Sequence, residues 1–137
     1  MNDKEYEKQK KRVNKVFNKW RTPLGLGWWR IDLTYSRETS AGGELVYAAP
    51  SIGGKFTCAM EVTCDFYYKT AIITFYLPTI QFISDQVLDR YMIHELMHIH
   101  LKPMQHPERA KEEELVATSL ADAILWTIEA VNKKELK

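Results

Sequence analysis

Residues 94–98 read His94-Glu95-Leu96-Met97-His98, and no other stretch of the chain places residue types at a spacing so suited to chemistry. On a helix, positions i and i+4 share a face and lie about 6 Å apart along the axis. Two imidazoles so placed can reach one Zn2+ with each nitrogen ~2.0–2.1 Å from the ion. Glu95 is turned about 100° around the axis from His94. Its carboxylate can therefore meet a water beside the ion without closing on the ion itself. That division of labour is the one a zinc hydrolase uses, with Glu95 as general base.

Random composition produces this short pattern in roughly one chain of this length in a few hundred, so context has to carry weight. Tyr91, Met92, Ile93, Leu96, Met97, Ile99 and Leu101 surround the two histidines with apolar residues. Burying two imidazoles one turn apart beside a carboxylate is costly without a metal or many hydrogen bonds. A catalytic zinc needs a third protein ligand and leaves its fourth position open. His100, His106, Glu108 and the run Glu112-Glu113-Glu114 are the candidates. His100 points about 240° away from His94, and His106 would have to fold back directly after Pro103. Leu101 and Met104 stand where a glycine and a third histidine would complete the longer metzincin pattern, which argues against that arrangement. By helical angle Glu113 sits at the centre of an apolar stripe of Ala117, Leu120, Ile124 and Val131. Glu114 lies on its flank above Thr118 and Ala121, so geometry alone slightly prefers Glu113.

The elements that must hold these groups follow from periodicity. Tyr6, Val13, Val16, Phe17 and Trp20 recur at near-helical spacing among charges over residues 3–20, ended by Thr22-Pro23, Gly25 and Gly27. Trp28–Tyr35 alternates as a strand, and a short strand is expected around Leu45–Ala48. Phe56, Cys58, Met60, Val62 and Cys64 alternate with polar residues as one strand, and Ala71–Leu77 is a second, closed by Pro78. Ser84 or Asp85 caps a helix over about 86–101 that Pro103 stops, and Pro107-Glu108 opens a last helix to about residue 131. The order predicts one α+β domain over residues 1–137. It comprises an N-terminal helix, a small, mostly antiparallel sheet, and an active-site helix and a C-terminal helix packed on that sheet, a minimal zincin-like layout.

His94–His98 followed by a carboxylate on the next helix resembles the gluzincin arrangement, as in thermolysin and the compact phage-encoded or repressor-cleaving metallopeptidases. In that family an apolar residue follows the ligand glutamate at +2, and a polar residue at +4 supports a ligand histidine. Glu114-Leu115-Val116-Ala117-Thr118 fits this register, whereas starting from Glu113 would put Ala117 at +4. The resemblance thus assigns His94, His98 and Glu114 as ligands of Zn2+. Asp89–Leu101 with Glu113–Trp126 is also similar to small phage proteins of metallopeptidase type. It implies a peptide or protein substrate, bound as an extended strand along the edge of Ala71–Leu77. The residue that larger gluzincins use to stabilise the oxyanion has no assigned counterpart. Tyr67, Tyr68, His100 and His106 are the candidates.

Composition bounds the rest. The chain has 137 residues, 19 basic against 18 acidic, for a net charge of +1, which argues against a dedicated nucleic-acid binder. Residues 1–21 are the local exception, with Lys4, Lys8, Lys10, Lys11, Arg12, Lys15, Lys19 and Arg21 against Asp3, Glu5 and Glu7. They read first as the solvated face of an amphipathic helix. Cys58 and Cys64 on one strand would lie about 20 Å apart, beyond the ~7 Å reach of a disulfide, so free thiols are expected. The charged N-terminus lacks the apolar core of a secretory signal, and no apolar run approaches the ~20 residues of a membrane span. A cytoplasmic location is expected. Two other readings remain open: a zinc-stabilised binding or regulatory module of phage type without turnover, and a DNA-associated protein acting through the basic N-terminal helix.

Overall fold

The computed structural model describes residues 1–41, 51–52 and 55–135, with side chains at 1–40 and 58–134. The short strand expected at Leu45–Ala48 lies outside the described residues. The fold is α+β, as the periodicity requires. Helix α1 (Asp3–Arg21) leads into β1 (Arg30–Ser36), the short strands β2 (Ser40–Ala41) and β3 (Ser51–Ile52), then β4 (Lys55–Cys58), β5 (Met60–Asp65) and β6 (Thr70–Tyr76). The one-turn helix α2 (Leu77–Ile80), the helix α3 (Asp85–Leu101), two short 3-10 turns and α4 (Ala110–Glu135) complete it.

Apolar burial fixes these elements to one another. Val13, Phe17 and Trp20 of α1, Ile73 and Phe75 of β6, and Leu88, Met92, Leu96 and Ile99 of α3 form a single core. Ile73 and Phe75 have no exposed surface, and such burial is worth about 1.5–3 kcal/mol per side chain. Arg12 ties α1 to the entry of α3, donating to Asp85 Oδ1 at 2.8 Å and to the carbonyl oxygens of Ile80 and Ile83. The Trp20 indole donates to Asp89 Oδ1 at 2.7 Å.

The main sheet has the order β1-β6-β5, with β6 parallel to β1 and antiparallel to β5. β2 and β3 flank β4 in antiparallel register, so three of the four described pairings are antiparallel.

Two expectations are corrected here. The alternating run from Phe56 to Cys64 is two strands, because the chain changes partners at Ala59. β4 pairs with β2 and β3, whereas Met60 onward pairs with β6. Pro78 does more than end a strand, since it lies in the first turn of α2, where a missing N–H costs nothing. The strand Ala71–Leu77, expected to offer its edge to a peptide, is β6, which is paired on both sides. Among the described residues the edge strands of this sheet are β1 and β5, and β5 is the one that packs beside α3. Cys58 and Cys64 are free thiols on separate strands.

Candidate metal centre

α3 begins at Ser84, whose hydroxyl accepts from the Val87 N–H at 3.3 Å. Its apolar residues Leu88, Met92, Ile93, Leu96, Met97 and Ile99 are all buried, which turns His94 and His98 toward α4. Their side chains keep only 15% and 13% of their surface exposed.

α4 presents its carboxylates through the way it packs. Ala117 and Ala121 are its fully buried residues, while Leu120 and Val131 are 39% and 49% exposed. The buried stripe is therefore rotated from the one that hydropathy suggests. Its centre runs along Ala117 and Ala121, with Glu113 and Glu114 on opposite flanks. Small residues there let α4 approach α3 closely enough for both carboxylates to touch the histidines.

The resulting geometry is convergent. His94 Nε2 and His98 Nε2 lie 3.1 Å apart. Glu114 places Oε2 at 2.9 Å from the first and Oε1 at 3.0 Å from the second. Two nitrogens bound tetrahedrally to one Zn2+ sit ~3.3 Å apart, given bonds of ~2.0–2.1 Å, so the donor set is close to the size that ion needs. The remaining ring nitrogens are held from behind. Glu113 Oε1 lies 2.8 Å from His98 Nδ1, and Thr118 Oγ1 lies 3.2 Å from His94 Nδ1. In the tautomers with hydrogen on Nδ1, both rings donate outward and both Nε2 lone pairs point to the shared centre. The +4 position from Glu114 thus supports His94, and Glu113 contacts the imidazole of His98 from the side away from the centre.

Electrostatics follow from this crowding. Burial pushes the Glu95 carboxyl up to about 8, with His98 opposing and Glu114, Glu61 and Glu113 adding to the rise. Burial alone would disfavour the charged form of His98. Its hydrogen bond to Glu114, the charge of Glu95 and its hydrogen bond to Glu113 outweigh that and raise it to about 9. Burial likewise opposes ionisation of Glu114, but hydrogen bonds from His94 and His98 hold it well below the ordinary carboxylate range. Without an ion, His94, His98 and Glu114 hydrogen-bond one another, and a divalent cation would displace the proton they share.

These groups line one wall of a cleft of about 480 Å3, within the span of small-ligand and peptide sites. Ala59 to Cys64 form the facing wall along the edge of β5. Cys58 also lines it, its thiol pushed up to about 12 by burial and by the charges of Glu95 and Glu61. So does Lys102, which donates to Gln105 Oε1 at 2.7 Å.

None of the four proposed oxyanion donors reaches the cleft. Tyr67 and Tyr68 are 88% and 73% exposed in the β5–β6 connection. His100 is turned onto the carbonyl oxygen of Leu24 at 2.6 Å, where Gly25 bends the chain at φ +79°. His106 accepts from the Glu108 N–H at 3.1 Å. Instead Tyr91, half-buried and three residues before His94, lines the cleft. Its i, i+4 spacing from Glu95 is the one sequence signal that could have found it. Glu61, which accepts from the Tyr76 hydroxyl, was legible only as a polar residue in an alternating strand.

No family model, curated protein or solved structure matches this chain. The site's own chemistry is therefore what a functional reading has to rest on.

Proposed function

We propose that this chain is a zinc-dependent peptidase of gluzincin type, with His94, His98 and Glu114 as ligands and Glu95 as general base. One observation carries the reading: two imidazole Nε2 atoms and one carboxylate converge within 3.1 Å of one another in an open cleft beside Glu95. A closed structural zinc site would need a fourth protein ligand. Among the described residues, Glu113 is engaged with Nδ1 of His98 and His100 with Leu24.

A bound zinc ion would supply Lewis acidity, polarising a substrate carbonyl and bringing the pKa of a water toward ~7. The chain's own residues do the rest. Glu95 takes a proton from the attacking water on its carboxylate and returns it to the leaving amine nitrogen. Glu113 and Thr118 hold the two rings in the orientation that keeps Nε2 facing the centre. The edge of β5 offers backbone N–H and C=O groups to an extended peptide, which suits a substrate that is unfolded or looped. Tyr91 is the tyrosine that lines the cleft, its hydroxyl available to a developing oxyanion.

The test is turnover of an unfolded protein substrate, read as new amino termini, by zinc-loaded wild type and Glu95→Gln. Wild type should cleave. Glu95→Gln should be slower by roughly 10²–10⁴-fold, the usual contribution of a general base, with its zinc content unchanged. Equal rates in the two proteins would remove Glu95 from the mechanism.

A further inference from the structure

The basic residues of α1 divide into two groups once their partners are known. Lys10 lies over the Tyr35 ring, Arg12 is tied to Asp85 and two carbonyls, Lys19 pairs with Asp89, and Arg21 donates to the carbonyls of Leu26 and Trp29. Those four hold the fold. Lys4, Lys8, Lys11 and Lys15 are exposed and, among the described residues, have no carboxylate within ion-pair distance.

At about 100° per residue these four fall within about 60° of one another around the helix. They lie opposite the buried Gln9, Val13, Phe17 and Trp20. At ~1.5 Å per residue the row is ~17 Å long. Of the helix's acids, Asp3 is paired with Arg37 and Glu5 accepts from Gln9. Glu7 alone borders the row. The net charge of +1 therefore conceals a sorted, one-sign surface.

We propose that this lysine row docks the phosphate backbone of a nucleic acid without reading its sequence. The phosphates of one DNA strand recur every ~3.4 Å of duplex axis, so a row ~17 Å long spans several of them. Lysine is a compact point charge on a flexible stem, suited to phosphate, and the row holds no guanidinium fork for reading base edges. A lipid surface fits less well, because the apolar face such a helix would insert is already buried in the core. A protein partner also fits less well, since the row contains no aromatic or aliphatic anchor for an interface core. The inference is independent of the metal centre.

Full-length protein is titrated into a labelled 20-base-pair duplex and a 20-nucleotide single strand, read by fluorescence anisotropy across salt concentrations. On the duplex, log K should fall with log salt at a slope near −3.5, and on the single strand near −3, as roughly four phosphate contacts require. Joint replacement of Lys4, Lys8, Lys11 and Lys15 by Gln should cost at least tenfold in affinity at low salt and most of that slope. Helix content by circular dichroism should be unchanged. A charge-matched control, Lys69, Lys111, Lys133 and Lys134 all to Gln, should stay within about threefold of wild type. Equal loss in the control would mean that net charge alone is at work and would overturn the proposal. So would the absence of binding at low salt, or binding of wild type to vesicles with 30% phosphatidylserine or to polyglutamate as tightly as to the duplex.

Discussion

α1 and α3 are neighbours of similar length, 19 and 17 residues, and both are rich in ionisable side chains. They dispose of those groups in opposite ways. α1 turns a band of lysines to solvent and spends its remaining cations on carbonyls, aromatic rings and single carboxylates of adjoining segments. α3 turns His94, Glu95 and His98 into a half-buried cleft, where α4 meets them with Glu113, Glu114 and Thr118. The difference lies in what faces each helix. Solvent facing a charged row leaves it free for long-range association. A second helix bearing carboxylates makes a coupled cluster whose protonation and ligand binding are one problem.

The largest effect should come from the ligands themselves. His94→Ala or His98→Ala should abolish zinc retention against a competing chelator, whereas Lys8→Ala or Lys15→Ala on α1 should leave it unchanged. If one histidine variant kept wild-type zinc affinity, the contrast between the helices would fail. The supporting residues should cost less. Glu113→Ala and Thr118→Val each loosen one ring, and should weaken zinc binding by about 10–100-fold or less, the usual range for such partners. An effect of Glu113→Ala as large as that of Glu114→Ala would exchange their roles.

The smallest effect is one of pH. His98 is raised to about 9 in the ion-free protein, so its contribution to stability is complete below ~6.5 and lost as pH rises through about 9. Glu95, raised to about 8, favours the fold in its neutral form, so its contribution is complete below ~4.5 and lost as pH rises through about 8. Glu114 is held low, and its contribution is present above ~4.5 and lost on acidification. The ion-free chain should thus melt highest near pH 4.5 and progressively lower from there toward pH 9. Zinc affinity should rise over the same alkaline range as the ion displaces the shared proton. Ion-free melting temperatures that are flat or rising from pH 6.5 to 9 would contradict this.

Much of this organisation was legible locally. The apolar spacing of α1 and α3, the Ser84 cap and the i, i+4 histidines are all short-range signals. The gluzincin-like register with Thr118 picked Glu114, which touches both histidines, although hydropathy favoured Glu113. That stripe counted Leu120 and Val131 as inward, whereas the close approach of α3 selects the small residues Ala117 and Ala121 instead. The change of partners at Ala59 had no glycine or proline to announce it. The Ala59 carbonyl still accepts from the Tyr76 N–H at 2.9 Å, so only the pairing partner changes there, and long-range pairing decides that. The same holds for β5 rather than β6 lying at the edge, because the parallel pairing of β1 with β6 joins segments 40 positions apart.

The central claim is that α3 and α4 together hold one metal ion, and elemental analysis tests it most directly. Protein purified without added metal, then supplied with zinc and desalted, is measured as wild type, Glu95→Gln and Glu114→Ala. Near one zinc per chain in wild type and Glu95→Gln, lost in Glu114→Ala, is the expected result. No zinc in wild type after it has been supplied would contradict the account.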